Sequence, residues 1–230
     1  MADLTVAHSS DLHIDGKGAT EVFHPLCRVL NTCRDVHADV LLLAGDIFDH
    51  NRLPLAVIDR ASRLLADAAF RVVILPGNHD CIGQGSVYQR GGLADVPGVE
   101  IIGVTTETSV LFTEYDLEVW GRAHADHKNM RPLAAPPARS AGRQIAMAHG
   151  HWWRSPADEH RGWLITTEEI EGTEADYVAL GHWPQATLAG NGRVPAYYSG
   201  SPDLAGSVNV VQFSNGNAPE VRRVPLSTLD

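Results

Sequence analysis

Polar side chains that can bind metal ions follow five apolar segments of the sequence, each at the point where a strand would end. In chain order they are Asp11, His13, Asp46, Asp49, Asn78, His79, Asp80, His149, His151 and His182. Ligands of parallel sheets bind beyond the carboxyl ends of the strands, so we expect these groups to converge there. Carboxylate, amide and imidazole ligands in this mixture suit Mn, Fe or Zn better than Mg or Ca. The pattern therefore predicts a site for divalent transition-metal ions.

Each motif has a structural alternative when it is taken alone. Asp11 and His13 could be a turn-capping aspartate and a surface histidine. Asp46 and Asp49 could belong to a loop with an Asx-turn. The run Gly-Asn-His-Asp, residues 77–80, is more specific, although it could also form a turn. The occurrence of all these motifs in this order, each after a strand, favours the metal site.

The first part of the chain alternates strand-like and helical patterns. Apolar runs at residues 4–8, 40–44 and 72–75 predict buried strands. Between them, apolar residues recur at helical spacing over residues 22–36 and 55–68, and Pro54 opens the second of these helices. The alternation predicts right-handed crossovers and a parallel sheet, hence an α/β fold.

The second half has shorter strand-like runs separated by turns. They cover residues 109–112, 117–120, 144–148, 177–180, 197–199, 208–213 and 220–224. Their lengths and the intervening turns predict a mixed or antiparallel sheet. The Pro- and Ala-rich residues 129–142 are predicted to form a surface loop.

Composition favours one globular domain over residues 1–230, without a separate capping domain. The three cysteines are too few and too scattered for a disulfide framework or a Cys-x-x-Cys zinc site. No apolar run is long enough to cross a bilayer, and no signal-like leader precedes Leu4, so we expect a cytoplasmic protein without a membrane partner. The net charge of −10 argues against a broad nucleic-acid surface.

The motifs D11-L-H13, G45-D46-I-F-D49, G77-N78-H79-D80, H149 and G181-H182 resemble those of the calcineurin-like metallophosphoesterases. The resemblance extends from Leu4 to about Gly200. The segments GDIFDHNRLP and YYSGSPDLAGS are similar to sequences of the DNA-repair exonuclease branch, whose nuclease subunits act with coiled-coil ATPases. The resemblance implies a four-layer α/β/β/α sandwich with two mixed sheets and two divalent metal ions at the carboxyl ends of the strands.

The resemblance also implies a role for each motif residue. Asp46 would bridge the two ions, Asp11 and His13 would hold the first ion, and the ligands of the second ion would be Asn78, His149 and His182. A hydroxide between the ions would attack phosphorus in line. His79 would protonate or steady the leaving oxygen, and Asp49 would orient the His79 imidazole. For Asp49, a loop-stabilising cap is the alternative.

The sequence departs from this pattern after His182. The family has a histidine two residues later, where this chain has Pro184, which cannot bind a metal ion. The first metal site is therefore expected to be weak, with water or another side chain in place of the imidazole. His151 could be that substitute, or it could face the substrate. His50 and Arg52 could contact the substrate phosphate.

Other polar residues are weaker candidates for a functional role. A strand precedes Arg122, His124 and His127, and imidazoles in such a place are predicted to be surface groups. Trp152 and Trp153 could line a substrate pocket, although core packing is the more ordinary use of tryptophan.

The sequence thus predicts a phosphodiesterase that uses two divalent ions, with Mn favoured and Fe or Zn as alternatives. The expected substrate is a small phosphodiester or a short single-stranded nucleic acid. The first alternative is a nuclease of the repair-exonuclease type, which would need a basic or aromatic track into the site. The second is a non-catalytic binding module on a decayed metal site. The oligomeric state is not predicted.

Overall fold

The computed structural model describes residues 3–17, 20–214 and 217–229. Within these ranges the strands are β1 (Leu4–Ser9), β2 (Val40–Ala44), β3 (Arg71–Leu75), β4 (Val99–Ile101), β5 (Ser109–Phe112), β6 (Leu117–Gly121), β7 (Arg143–His149), β8 (His151–Trp152), β9 (Leu164–Ile165), β10 (Tyr177–Gly181), β11 (Thr187–Ala189), β12 (Ala196–Tyr198), β13 (Ser207–Phe213) and β14 (Glu220–Pro225). The α-helices are α1 (His24–Asp35), α2 (Leu55–Ala66), α3 (Thr167–Gly172) and α4 (Pro202–Ala205). Short 3₁₀ turns cover Glu21–Phe23, Leu93–Asp95, Thr113–Tyr115 and Pro156–Asp158.

The first sheet has the strand order β14-β13-β1-β2-β3-β4. Its strands β1 to β4 are parallel, and β13 and β14 extend it as an antiparallel edge. The run Val40–Ala44 is apolar at every position because β2 is buried on both faces. The predicted strand–helix–strand units are therefore present.

The second sheet has the strand order β11-β12-β10-β7-β6-β5. Its four central strands, β12, β10, β7 and β6, are parallel, and the edge strands β11 and β5 are antiparallel to their neighbours. The sheet is thus mixed, as the shorter runs of the second half predict. Strands β8 and β9 form a separate two-stranded parallel sheet.

Three apolar clusters define the layers of the fold. In the first, helices α1 and α2 pack on the first sheet through Leu26, Leu30, Ile58 and Leu65. In the second, alternate residues of both sheets meet face to face, as Leu42 and other β2 residues do with β7. The third lies on the far face of the second sheet, where α3 packs. Each fully buried aliphatic side chain contributes about 1.5–3 kcal/mol.

These layers form a mixed α/β fold with two large mixed sheets, and they match the predicted order α/β/β/α. The surface loop predicted at residues 129–142 is present as irregular chain, although Leu133 within it is buried against the second sheet. Among the described residues, no helix is both long and apolar enough to cross a membrane.

Candidate metal centre

The loops that leave the central strands are joined to one another by backbone hydrogen bonds. The amide of Asp11 donates to the carbonyl of Gly45 at 3.0 Å, and the amide of His13 donates to the carbonyl of Asp46 at 3.0 Å. These two bonds tie the turn after β1 to the turn after β2. The side chains that follow β1 and those that follow β2 therefore lie close together at the sheet edge, as predicted.

Four of the predicted metal ligands have left-handed backbone conformations. The φ angles are 54° for Asp11, 47° for His13, 54° for Asp46 and 95° for His182. Non-glycine residues in sparsely populated regions of φ/ψ space cost of order 1–3 kcal/mol each and concentrate at functional sites.

Asp46 lies at the centre of the site and is almost fully buried. Its Oδ1 accepts the backbone N–H of His79 at 2.9 Å. Its Oδ2 lies 3.1 Å from Nε2 of His149 and 4.0 Å from Nε2 of His13. Oδ2 therefore lies between two sets of imidazole groups, as a bridging ligand requires.

The first of these sets is the inner cluster, formed by Asp46, His149 and His182, whose ligand atoms lie within 4.8 Å of one another. The amide oxygen of Asn78 joins this cluster, at 3.1 Å from Nε2 of His149 and 3.2 Å from Nδ1 of His182. Nδ1 of His149 donates to the carbonyl of Ala44 at 2.8 Å, which leaves Nε2 to face Asp46. One carboxylate, one amide oxygen and two imidazoles thus converge.

The second set is the outer cluster, formed by His13, Asp46 and His79 within the same distance of one another. The rings of His13 and His79 meet edge to face with centroids 4.9 Å apart. Unlike the inner cluster, this one is open to solvent, since the side chain of His13 is 36% exposed and that of His79 is 44% exposed. The two clusters share only Asp46.

Close contacts with the side chains of Asp46 and His149 require glycine at two positions. A Cβ on Gly77 would lie 2.2 Å from Oδ1 of Asp46, and a Cβ on Gly45, whose φ is 90°, would lie 2.1 Å from Nδ1 of His149. Any side chain at either position would push a candidate ligand out of place. The glycines of both motifs therefore make room for the ligands that follow them.

The electrostatics of the site suit a divalent cation. Burial lowers the pKa of His182 to about 3, so its imidazole is neutral and keeps a lone pair for a metal ion. Burial also disfavours the charged form of His149, but the adjacent Asp46 carboxylate raises the pKa of His149 to about 9. The metal-free ring therefore holds a proton beside Asp46, in the place where a bound cation would displace it. Burial raises the pKa of the Asp11 carboxyl. Buried carboxylates beside imidazoles are a donor set that fits the ions that the motifs predict.

Asp11 lies in neither cluster. Its carboxylate accepts the backbone N–H of His182 at 3.0 and 3.1 Å and the hydroxyl of Ser10 at 2.5 Å. It therefore joins the end of β1 to the turn after β10, across the two sheets. A carboxylate has about four lone-pair sites, so these bonds leave capacity for a metal ion.

Asp49 and His79 are adjacent, as predicted, but the contact between them is made by the backbone. Nδ1 of His79 donates to the carbonyl oxygen of Asp49 at 2.8 Å, whereas its distance to the Asp49 carboxylate is 3.8 Å. That carboxylate lies nearer to Nδ1 of His13, at 3.2 Å. Asp49 thus contacts both imidazoles of the outer cluster: its carbonyl contacts His79 and its carboxylate contacts His13.

His151 faces away from both clusters. Its Nε2 lies 3.1 Å from Oδ1 of Asp158, and its ring packs edge to face on Trp183 with centroids 5.5 Å apart. Trp183 also lies under the guanidinium of Arg154. Pro184, at the position of the absent histidine, accepts a hydrogen bond from the amide of Ser201 through its carbonyl. The third side chain of the outer cluster is His79 rather than His151.

The remaining motif residue, Asp80, is a buried structural acceptor. Its carboxylate accepts hydrogen bonds from the amides of Gly77, Ile47 and Phe48 at 2.7, 2.8 and 3.2 Å, and from the hydroxyl of Tyr88 at 2.6 Å. It fixes the turn after β3 to the turn after β2 and thereby places Asp46. The sequence placed Asp80 at the strand end without indicating this role.

A cleft of about 440 Å³ opens beside the outer cluster. It is lined by Asp49, His50, Asn51, Arg52, Asn78, His79 and His127. His50 and Arg52 thus lie where a substrate contact was predicted. Asn51 and His127 also line the cleft; no sequence pattern indicates Asn51, and for His127 the sequence predicts only a surface imidazole. The expectation of a surface imidazole is wrong for His124, which is fully buried with Nε2 2.8 Å from the carbonyl of His149.

Residues 4–186 match the family model described as calcineurin-like phosphoesterase. The chain belongs to this family. Membership indicates a metal-dependent hydrolase that acts on phosphoesters, and the two His/Asp clusters provide candidate sites for its divalent ions. Among curated proteins, the chain is 23% identical to the uncharacterized metallophosphoesterase YhaO of Bacillus subtilis over 79% of its own length. It spans 49% of that relative, about half.

Comparisons with solved structures agree on the fold. One crystal structure matches with a TM-score of 0.66 at 12% identity over 98% of this chain and 100% of the other. The protein TT1561 of Thermus thermophilus matches with a TM-score of 0.60 at 12% identity, covering 96% and 99% of the two chains. The NAD nucleotidase NadN of Haemophilus influenzae matches with a TM-score of 0.59 at 13% identity, covering 97% of this chain and 50% of that one. At these identities the likeness concerns the fold alone.

Proposed function

We propose that this protein is a phosphodiesterase that uses two divalent transition-metal ions. The observation that carries the proposal is the pair of clusters that share Asp46. A shared carboxylate can bridge two cations that would otherwise repel each other at the roughly 3.5–4 Å typical of two-metal sites. The mixture of oxygen and nitrogen donors favours Mn, with Fe or Zn as alternatives.

The proposed ligands follow from the positions of the donors. The second ion would be held by Asp46, Asn78, His149 and His182, and the first by Asp11, His13 and Asp46. Ions held there supply a nucleophile from water at neutral pH and charge neutralisation on the phosphoryl oxygens. We expect the first site to bind more weakly, because it is partly exposed and Pro184 replaces an imidazole.

His79 is the proposed acid for the leaving oxygen. A carbonyl oxygen only accepts, so the bond from Nδ1 to the Asp49 carbonyl keeps a proton on Nδ1 and turns Nε2 outward. A protonated ring can then donate from Nε2 to the leaving oxygen. The Asp49 carboxylate lies 3.8 Å from Nδ1 of the same ring. The side chain is 44% exposed and lines the cleft, so the leaving group can reach it.

A diester is favoured over a monoester because the cleft leaves room on the leaving-group side. A second ester substituent needs space beside the clusters, and a cleft of about 440 Å³ lies within the usual size range of ligand sites. The natural substrate is proposed to be a small phosphodiester or a short single-stranded nucleic acid. Action as a nuclease of the repair-exonuclease type is the alternative that the basic residues of the cleft support.

The proposal is tested by removing and restoring metal ions. Protein treated with a chelator and dialysed is expected to lose hydrolysis of bis(p-nitrophenyl) phosphate and to regain it when Mn²⁺ is added. The rate on p-nitrophenyl phosphate, a monoester, is expected to be lower under the same conditions. Activity that persists in verified metal-free protein would refute the metal mechanism, and a preference for the monoester would refute the phosphodiesterase.

The His79→Gln variant tests the acid role. We expect it to keep its metal content and to lose about 10²–10⁴-fold in kcat on a diester with a poor leaving group. The loss should be small for p-nitrophenolate, which leaves without a proton. The measurement is kcat for a series of aryl diesters together with metal analysis of the same preparations. An equal loss across the series, or loss of one metal ion per chain, would contradict the role and make His79 a ligand.

A further inference from the structure

The cleft beside the outer cluster is basic, in a protein whose net charge is −10. Four of its lining residues, His50, Arg52, His79 and His127, carry side chains that are cationic or can become so. Among the described residues that line it, Asp49 is the one acid, and its carboxylate is already paired with His13 at 3.2 Å. The cleft is thus a local site for an anion.

The side chains of Arg52 and His50 have N–H donors that are available to a ligand. The guanidinium of Arg52 makes no hydrogen bond or ion pair with any residue that the structure describes, and the residue is exposed. Nδ1 of His50 accepts the amide of Arg52 at 3.2 Å, so Nε2 carries the ring proton and is free to donate. Guanidinium and imidazole N–H groups are the donors that proteins use for phosphate.

The loop that carries His50 and Arg52 is held rigidly. The side chain of Asn51 donates to the carbonyl of Cys81 at 2.8 Å and accepts the amide of Val87 at 2.9 Å. The guanidinium of Arg90 also donates to the carbonyls of residues 51, 53 and 85. Such bonds fix the loop before a ligand arrives, which lowers the cost of ordering on binding.

The cleft lies on the side of the site that the leaving group would occupy. His79, the proposed acid, lines the cleft and also belongs to the outer cluster. Asn78, of the inner cluster, lines it as well. A group that leaves with a proton from His79 must extend into this space, where the basic side chains surround it.

Resting on the phosphodiesterase proposed above, we infer that the cleft holds the leaving-group side of the substrate and that Arg52, His50 and His127 bind a further phosphate carried by that side. The substrate class is therefore a diester with at least two phosphates. A short nucleic-acid strand and a small nucleotide both offer this chemistry. A simple diester such as a dinucleoside monophosphate lacks it.

The test compares dinucleotides that differ only in a terminal phosphate. With Mn²⁺, kcat/KM is measured for thymidylyl-thymidine and for the same compound phosphorylated at its 5′ or its 3′ end. We expect at least a tenfold preference for one of the phosphorylated forms. Arg52→Gln and His127→Gln should each reduce this preference to within about threefold of unity, and it should also shrink with added salt. Arg222→Gln, at an exposed site on β14, is the matched control and should leave the preference unchanged.

The outcomes separate the inference from the proposed function. Equal kcat/KM for all three dinucleotides in the unmodified protein, or a preference that survives both cleft substitutions, would overturn the phosphate subsite and leave the phosphodiesterase standing. If none of the three is turned over while bis(p-nitrophenyl) phosphate still is, the phosphate subsite alone is overturned. If that diester is not hydrolysed either, both proposals are overturned. Extending the series to a tetranucleotide identifies the source: a further rise in kcat/KM indicates a strand, and a plateau indicates a small nucleotide.

Discussion

Replacing Asp46 by asparagine is expected to remove bound metal from both clusters and to lower the rate of diester hydrolysis by about 10³-fold or more. Asp46 is the one residue that the two clusters share, and its Oδ2 lies 3.1 Å from Nε2 of His149 and 4.0 Å from Nε2 of His13. An amide carries no charge, so it cannot offset the repulsion between two neighbouring cations as the carboxylate does. A bound metal ion supplies several kcal/mol of charge stabilisation in the transition state, which corresponds to a loss of this size.

The measurements are metal ions per chain after dialysis and kcat/KM on one activated diester. Asp203→Asn, at an exposed site, is the matched control and should keep both values. Thermal unfolding of both variants shows whether the fold is retained. An Asp46→Asn protein that still holds two ions per chain with the affinity of the unmodified protein would refute the bridging role.

Replacing Asp80 by alanine is expected to destabilise the metal-free protein by about 3–5 kcal/mol. The substitution leaves the amides of Gly77, Ile47 and Phe48 and the hydroxyl of Tyr88 without their common acceptor, in a fully buried place. Each buried donor left without a partner costs roughly 1–3 kcal/mol, and relaxation recovers part of the sum.

Chemical denaturation with urea, in the presence of chelator, measures this effect without interference from metal binding. Asp80→Asn keeps one acceptor oxygen and should lose less stability than Asp80→Ala, and it provides a measurable variant if the alanine protein does not fold. Asp67→Ala, an exposed residue after α2, should change the free energy of unfolding by less than about 0.5 kcal/mol. A loss below about 1 kcal/mol for Asp80→Ala would show that the turns hold without this carboxylate.

The strands predicted from apolar runs correspond closely to those observed. The run Val40–Ala44 coincides with β2, and residues 72–75 lie within β3. Central strands can be predicted from local sequence because burial on both faces requires a continuous run of apolar residues. The short strands β4, β8, β9 and β11, of two or three residues each, were not predicted, because such short segments show no clear periodicity.

The candidate site was predicted less completely than the strands. That the polar groups meet follows from their place after parallel strands, and the structure brings Asp46, Asn78, His149 and His182 together. Which imidazole stands beside His13 did not follow from spacing. Position 151 lies two residues after a candidate ligand, yet its side chain faces Asp158.

The sequence by itself thus determined the residue types at the strand ends and the order of the strands that carry them, since both depend on local apolar pattern and turn chemistry. Only the tertiary structure decided which of these groups share an ion. That choice depends on the left-handed turns at Asp11 and His182 and on the distance between two sheets, across which His149 donates to the carbonyl of Ala44 at 2.8 Å. It also placed His127 beside Arg52 in one cleft. Contacts between residues so far apart in the chain are made by packing, and no local pattern encodes them.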